Sequence, residues 1–216
     1  MAKYKGIIFD LDGTLINTID DIAESMNEVL EQYKYPIFTN DEYKMKIGEG
    51  FKNLIVKAMP EEVSDTIIEE ATELFNKIYY KKYLNRSRPY VGIDTTLDKL
   101  VARNIRLGIH TNKRNYYTNF LIDKYFNRIP FIEVYGECAG IPTKPSPILT
   151  LKIIEKMNLR PEEVLYVGDS TTDILTAQNA GIHSVAVLWG FRSYEELKKY
   201  GAKYIISKPD ELLDII

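Results

Sequence analysis

Short, nearly continuous apolar runs alternate with stretches of helical periodicity along most of this chain. Residues 6–9 (GIIF), 106–110 (RLGIH), 131–135 (FIEVY), 164–167 (VLYV), 184–188 (SVAVL) and 204–206 (YII) read as strands. Runs without polar alternation belong to sheets covered on both faces. Between them, Ile148, Leu149, Leu151, Ile153, Ile154 and Met157 make one helix face that ends before Arg160-Pro161. Another helix ends through Ala177 and Ala180 at Gly181, a residue suited to a C-terminal cap. Alternating β and α units predict an α/β fold, a doubly wound parallel sheet of Rossmann-like form.

One region departs from that alternation. Residues 18–84 contain no convincing strand. Ile19, Ile22, Met26, Val29 and Tyr33 follow helical spacing after a Thr18-x-x-Asp21 start. Val63, Ile67, Ala71, Leu74 and Ile78 do the same in a long helix expected to open near Pro60-Glu61. A βα crossover does not need such a length. The expectation is an inserted all-helical cap domain at residues 17–85, with residues 1–16 and 86–216 forming the α/β core. Tyr79, Tyr80 and Tyr83 are read as packing the cap against its stem. Inside the cap, KIGEGFK (residues 46–52) interrupts the periodicity with two glycines, which a plain interhelical turn would also explain.

Composition narrows the function classes. The chain has 216 residues and a net charge of -3, so bulk electrostatics gives no reason to expect a nucleic-acid or anionic-membrane partner. Its single cysteine, Cys138, excludes an internal disulfide and fits a reducing compartment. No segment has the ~20 apolar residues of a membrane helix, and MAKYKGIIFD lacks the apolar stretch of a signal peptide, so a cytoplasmic protein is expected.

Ligands of open α/β sheets bind beyond the carboxyl ends of the strands. There the chain carries Asp10, Asp12 and Gly13 after the first strand, and Thr111, Asn112 and Lys113 after the second. Lys144 follows the third, and Gly168, Asp169, Ser170 and Asp173 follow the fourth. Clustered carboxylates require a cation, and hard oxygen ligands in small number suit Mg²⁺. A metal, a lysine and hydroxyl or N–H donors together suit a phosphoryl group. Period-two alternation points Asp10 and Asp12 the same way and Leu11 into the core, so one carboxylate can attack phosphorus while its neighbour moves a proton.

FDLDGT (residues 9–14), HTN (residues 110–112), Lys144 in TKPSP and GDSTTD (residues 168–173) resemble, in order, the four motifs of the haloacid dehalogenase superfamily. The helical insert, RPYVG (residues 88–92), TNK (residues 111–113) and WGFR (residues 189–192) are similar to its phosphoglycolate phosphatase-like branch. The resemblance implies that Asp10 is the nucleophile, forming an aspartyl-phosphate, and that Asp12 is the acid and base. It implies a Mg²⁺ ion held by Asp10, the Asp12 backbone carbonyl and Asp169, with Asp173 orienting the metal waters or Lys144. Thr111, Asn112 and Lys144 would hold the phosphoryl group, and Gly48, Glu49 and Gly50 would form the specificity loop of the cap.

The activity so implied is Mg²⁺-dependent hydrolysis of a small phosphorylated metabolite, phosphoglycolate first, by a monomer or homodimer. Pyrophosphate, nucleotide and sugar phosphates are alternatives, with a β-phosphoglucomutase-like mutase ranked lower because GEGFKN (residues 48–53) lacks an arginine. A receiver-like signalling module has similar residue types but places an adjacent acidic pair first and has no helical insert. Taken separately, FDLDGT could be an Asx turn and GDSTTD a capped helix start. Thr14 and Thr171 read as local caps, and His110 and His183 as structural or exposed. Lys113, Arg192 and the lysines Lys44, Lys46, Lys52 and Lys57 are either site contacts or solvated.

Overall fold

The computed structural model describes residues 3–216. Its elements run β1 (Gly6–Phe9), β2 (Ile16–Asn17), α1 (Ile19–Gln32), α2 (Asn40–Lys44), α3 (Phe51–Ala58), α4 (Asp65–Lys82) and β3 (Arg88–Pro89). There follow α5 (Ile93–Ala102), β4 (Arg106–Arg114), α6 (Asn115–Phe126), β5 (Phe131–Glu137), α7 (Ile148–Lys156) and β6 (Val164–Gly168). The chain ends with α8 (Thr171–Asn179), β7 (His183–Val187), α9 (Tyr194–Lys199), β8 (Tyr204–Ile206) and a 3-10 turn at Pro209–Asp214.

Six strands form one parallel sheet in the order β5-β4-β1-β6-β7-β8. The doubly wound α/β core follows from the apolar runs: all four residues of β1 are buried, with a helix layer over each face. The strand order reverses beside β1, which makes the crevice at the carboxyl ends of β1, β4 and β6 the natural ligand position. Gly181 has φ +69 just past α8, as its place after the helix predicts.

Strand ends shift by one or two residues at β5, β6 and β7, and four larger differences from the sequence expectation bear on the site. First, β4 runs on to Arg114, because Arg114 pairs with Glu137 of β5 after a register shift. Its last residues are polar, so an apolar run cannot reveal them. Second, β1 stops at Phe9, and residues 10–16 form a turn in which the Leu11 carbonyl accepts from the N–H groups of Thr14, Leu15 and Ile16. Strict strand alternation therefore does not orient Asp10 and Asp12. Third, α4 opens at Asp65, where the Ser64 side chain accepts from Ile67 N–H, not at Pro60-Glu61. Fourth, Thr18 makes no side-chain cap to α1. Asp21 is instead fully buried and accepts from Arg86 N–H at 2.9 Å, Ser87 N–H at 2.8 Å and Ser87 Oγ at 2.6 Å. A capping pattern is local, whereas these donors lie over sixty positions away.

Helices α1 to α4 lie between β2 and β3, which pair antiparallel as Ile16↔Pro89 and Asn17↔Arg88. The chain thus leaves and re-enters the sheet region along one short ladder, which the Asp21 clamp ties to α1. One continuous apolar cluster runs from the sheet into these helices, joining Ile7 and Ile109 to Phe51, Phe75 and Tyr79. Ring centroids of Phe51 and Phe75 are 4.9 Å apart, and those of Tyr79 and Tyr117 of α6 are 5.0 Å apart. Among the described residues, no helix is long and apolar enough to cross a membrane.

Candidate active site

The turn after β1, the end of β4 and the start of α8 converge on one cavity, and the segment before α7 brings Lys144 against Asp10 without lining it. Asp10, Asp12, Thr111, Asn112, Lys113, Asp169 and Ser170 line it from the sheet side. Ile22, Ile47, Gly48, Gly50, Phe51 and Leu54 line it from the helical side, with Phe191 between. The cavity is small, about 30 Å³, room for roughly two waters at ~10–15 Å³ each. The helices therefore stand closed over the carboxylates.

The sheet side is crowded with charge. Lys144 Nζ lies 2.6 Å from Asp173 Oδ1 and 2.9 Å from Asp10 Oδ1. The Asp173 contact has hydrogen-bond geometry, whereas the Asp10 contact is an ion pair by distance only and leaves buried Asp10 Oδ1 without a hydrogen-bond donor. Asp173 is fully committed: Oδ1 to Lys144, and Oδ2 to Ser170 N–H at 3.0 Å and Ser170 Oγ at 2.6 Å. Asp169 accepts from Phe191 N–H at 2.8 Å and from Thr14 Oγ1 at 3.3 Å. Lys113 meets both oxygens of Asp12, at 3.0 and 3.1 Å.

Burial, then the neighbouring Asp173, lifts Asp10 to a pKa of about 6 against the pull of Lys144. Asp169 is pushed well above the usual carboxylate range, by burial first and then by Asp173 and Asp10. Burial opposes the charge on Lys144, but Asp10 and Asp173 outweigh it and hold its pKa well above the ordinary lysine value. His110 is buried, with Nδ1 2.8 Å from Thr150 Oγ1, and is lowered to about 3 by burial and by Lys144. It is a neutral structural group, not a ligand.

The cluster suits a divalent cation. Asp10, Asp169 and Asp173 each place a carboxylate oxygen within 4.8 Å of the others, and the Asp173 oxygens are already held by Lys144 and Ser170. The cavity region holds two more carboxylates than ammonium groups, counting Asp10, Asp12, Asp169 and Asp173 against Lys113 and Lys144. The Asp10 oxygen without a hydrogen-bond donor and the all-oxygen donor set are what a hard cation would complete.

The family model for haloacid dehalogenase-like hydrolases matches residues 7–187. The chain belongs to this family. The phosphoglycolate phosphatase of Aquifex aeolicus is 31% identical over 97% of this chain and 95% of its own length. That of Vibrio parahaemolyticus is 27% identical over 98% of this chain and 96% of its own. The crystal structure of a Lactobacillus delbrueckii subsp. bulgaricus protein superposes with a TM-score of 0.94 at 29% identity, covering 99% of each chain. As a member of this hydrolase family, the chain is an enzyme, a phosphoric monoester hydrolase of phosphoglycolate phosphatase-like sequence.

Several parts of this hydrolase's site play roles that its sequence did not reveal. Asn112 uses its side chain as a strut: Oδ1 accepts from Lys144 N–H at 2.8 Å, and Nδ2 donates to Gly48 O at 3.1 Å. Thr14 is no local cap, since its hydroxyl reaches Asp169. Gly13 has φ +82 and Gly190 lies against the same carboxylate. A Cβ on either would come within 2.4 Å and 2.2 Å, respectively, of Asp169 atoms. The doubled glycines after strand ends were the available signal. Of the loop glycines, Gly48 and Gly50 face the cavity, but Glu49 turns away to pair with Lys57 at 2.9 Å. Lys44 pairs with Asp41 at 2.8 Å, Lys46 donates to Lys57 O at 2.9 Å, and Lys52 is exposed. Arg192 does not line the cavity either; it donates to the carbonyls of Lys44 and Ile47 and so fastens the loop to the core.

Proposed function

We propose that this hydrolase is a Mg²⁺-dependent phosphatase of small phosphorylated metabolites, phosphoglycolate foremost, working through an aspartyl-phosphate on Asp10. The observation that carries the reading is that Asp10 and Asp12, which both line the cavity, have different cationic partners, Lys144 for buried Asp10 and Lys113 for Asp12. Two adjacent carboxylates in separate electrostatic settings can take separate roles.

Asp10 attacks phosphorus and forms a P–O bond as the ester P–O bond breaks. Asp12 gives a proton to the departing oxygen, then takes one from the water that attacks the acyl phosphate, releasing phosphate and restoring Asp10. Thr111, the Asn112 N–H and Lys144 hold the phosphoryl oxygens. Asp173, tied to Lys144 and Ser170, keeps that lysine in place. Asp10, Asp169 and the Asp12 backbone carbonyl would hold Mg²⁺, which supplies positive charge for the phosphoryl group and keeps Asp10 ionised.

Residues 17–85 act in this reading as a cap that swings on the β2–β3 ladder, since a cavity of about 30 Å³ admits no phosphate ester unless the helices move. The small closed volume favours small metabolites over macromolecules. The single cysteine and the absence of any apolar membrane-length helix among the described residues are compatible with a cytoplasmic setting.

The test is a panel of phosphoglycolate, pyrophosphate, nucleoside monophosphates and hexose phosphates, with and without Mg²⁺, run on wild type and Asp10→Asn. Phosphoglycolate should be the best substrate, with no turnover without metal or by the variant. A preference for pyrophosphate would overturn the substrate, and an active Asp10→Asn would overturn the nucleophile.

A further inference from the structure

Asp10 and Asp12, which both line the cavity, differ in the cation that serves them. Lys144 is committed to Asp10 and Asp173. The helical side of the wall is Ile22, Ile47, Phe51 and Leu54 with Gly48 and Gly50, and among the described residues lining the cavity Lys113 is the one cation. Nearby basic groups are engaged elsewhere: Arg192 with loop carbonyls, Lys44 with Asp41, Lys57 with Glu49.

The Lys113 side chain is wholly shielded from solvent. Its ammonium donates to Tyr79 Oη at 2.7 Å and to both oxygens of Asp12, and it lies 4.9 Å from the Tyr79 ring centroid and 5.5 Å from that of Phe51. A buried ammonium tolerates its setting only through such partners. Asp12 cannot chelate Lys113 with both oxygens and also present one to an ester oxygen. The turn of Asp12 toward a substrate therefore frees an ammonium donor facing the cavity, still aimed by a tyrosine from the closed helical segment.

We propose that Lys113, aimed by Tyr79, is the specificity-determining subsite for an anionic leaving group, taking a carboxylate borne on the carbon next to the ester oxygen. This rests on the phosphatase reading above. A substrate carboxylate replaces the Asp12 oxygen that turns away, so the ammonium stays paired throughout. A neutral leaving group of the same length leaves it under-paired against an apolar wall. Sites built around a buried charge discriminate strongly against ligands that cannot pair it. Because Tyr79 belongs to α4, the subsite is complete only when the helices are closed.

The experiment compares kcat/KM for 2-phosphoglycolate and 2-hydroxyethyl phosphate, which replaces the carboxylate by a hydroxymethyl group, with Mg²⁺ present. Wild type should favour the carboxylate by about 10- to 100-fold. Lys113→Gln should bring the ratio to within about threefold of unity, mostly by loss on phosphoglycolate, and Lys113→Arg should keep part of it. Should Lys113→Gln fail to fold, Tyr79→Phe carries the test, with a ratio reduced at least about threefold. A merely structural role would lower both substrates alike. An unchanged ratio in the variants, or equal turnover of both esters by wild type, overturns the subsite while the phosphatase reading stands. No turnover of phosphoglycolate by wild type overturns both.

Discussion

The floor and the roof of the cavity are built on opposite principles. The floor, at the ends of β1, β4 and β6, packs three buried carboxylates, the half-buried Asp12 and two buried lysines, each held by named partners. The roof offers Ile22, Ile47, Phe51 and Leu54 and two glycines, with Lys44 and Lys57 tied to Asp41 and Glu49 away from the cavity. Charges placed on a rigid sheet stay where chemistry needs them, and an apolar helical face can leave and return without stranding a charge. In the proposed mechanism the floor performs the reaction and the roof decides what reaches it. Lys113–Tyr79, Asn112–Gly48 and Arg192–Ile47 cross between them as polar ties.

A lesion in the floor should lower turnover far more than one in the roof. Lys144→Met is expected to lower kcat by about a thousandfold, measured with p-nitrophenyl phosphate and Mg²⁺; a loss under tenfold would erase the distinction. The largest roof lesion should instead appear as stability. Phe51 is 5% exposed and packs on Phe75, Tyr79 and Tyr117, so Phe51→Ala should cost about 3–5 kcal/mol in denaturant unfolding. Loosening a tie between the two should act on binding: Arg192→Met, which loses the donors to the Lys44 and Ile47 carbonyls, should raise KM by about tenfold with kcat changed less than threefold. Equal falls in kcat and kcat/KM would place Arg192 in the chemical step.

The smallest effect concerns charge in the metal-free floor. Asp10 rises from 3.8 to about 6 on folding, so the folded state binds its proton more tightly than the unfolded chain. Its contribution is most favourable at low pH and is lost as pH rises through 3.8 and on past about 6. His110, lowered from 6.5 to about 3, works oppositely and weakens the fold as pH falls below 6.5. Subtracting one protein from another isolates Asp10: metal-free Asp10→Asn should gain over wild type about 1 kcal/mol more at about pH 7.5 than at about pH 5. Added Mg²⁺ should raise the melting temperature of wild type at the higher pH. A pH-independent difference would mean that Asp10 is not held at raised pKa.

The same division governs what could be read from the sequence. Strands β1 and β8 match their apolar runs residue for residue; β1 is buried throughout, so its run leaves no ambiguity of period. The end of β4 escaped, since its Thr111, Asn112 and Lys113 are buried for pairing and not for hydrophobicity. Asp10, Lys144, Asp169 and Asp173 could be anticipated together because each follows a strand in a sheet whose topology the alternation implies. The struts could not. Asp21 finds its donors at Arg86 and Ser87, and Thr14 finds its acceptor at Asp169, far along the chain. Such partners depend on tertiary closure, which local patterns do not encode. Lys113 and Arg192, equally plausible as solvated cations, acquire distinct places only once the helices sit over the sheet.

Covalent chemistry on the floor can be caught directly. With Asp12→Asn slowing hydrolysis of the intermediate, the protein would be mixed with Mg²⁺ and acetyl phosphate, whose carboxylate leaving group needs no proton from Asp12, quenched in acid and mapped by peptide mass. One phosphoryl group is expected on the peptide bearing Asp10, absent when Asp10→Asn is added. A phosphoryl group on any other residue, or its persistence in the double variant, would contradict nucleophilic attack by Asp10.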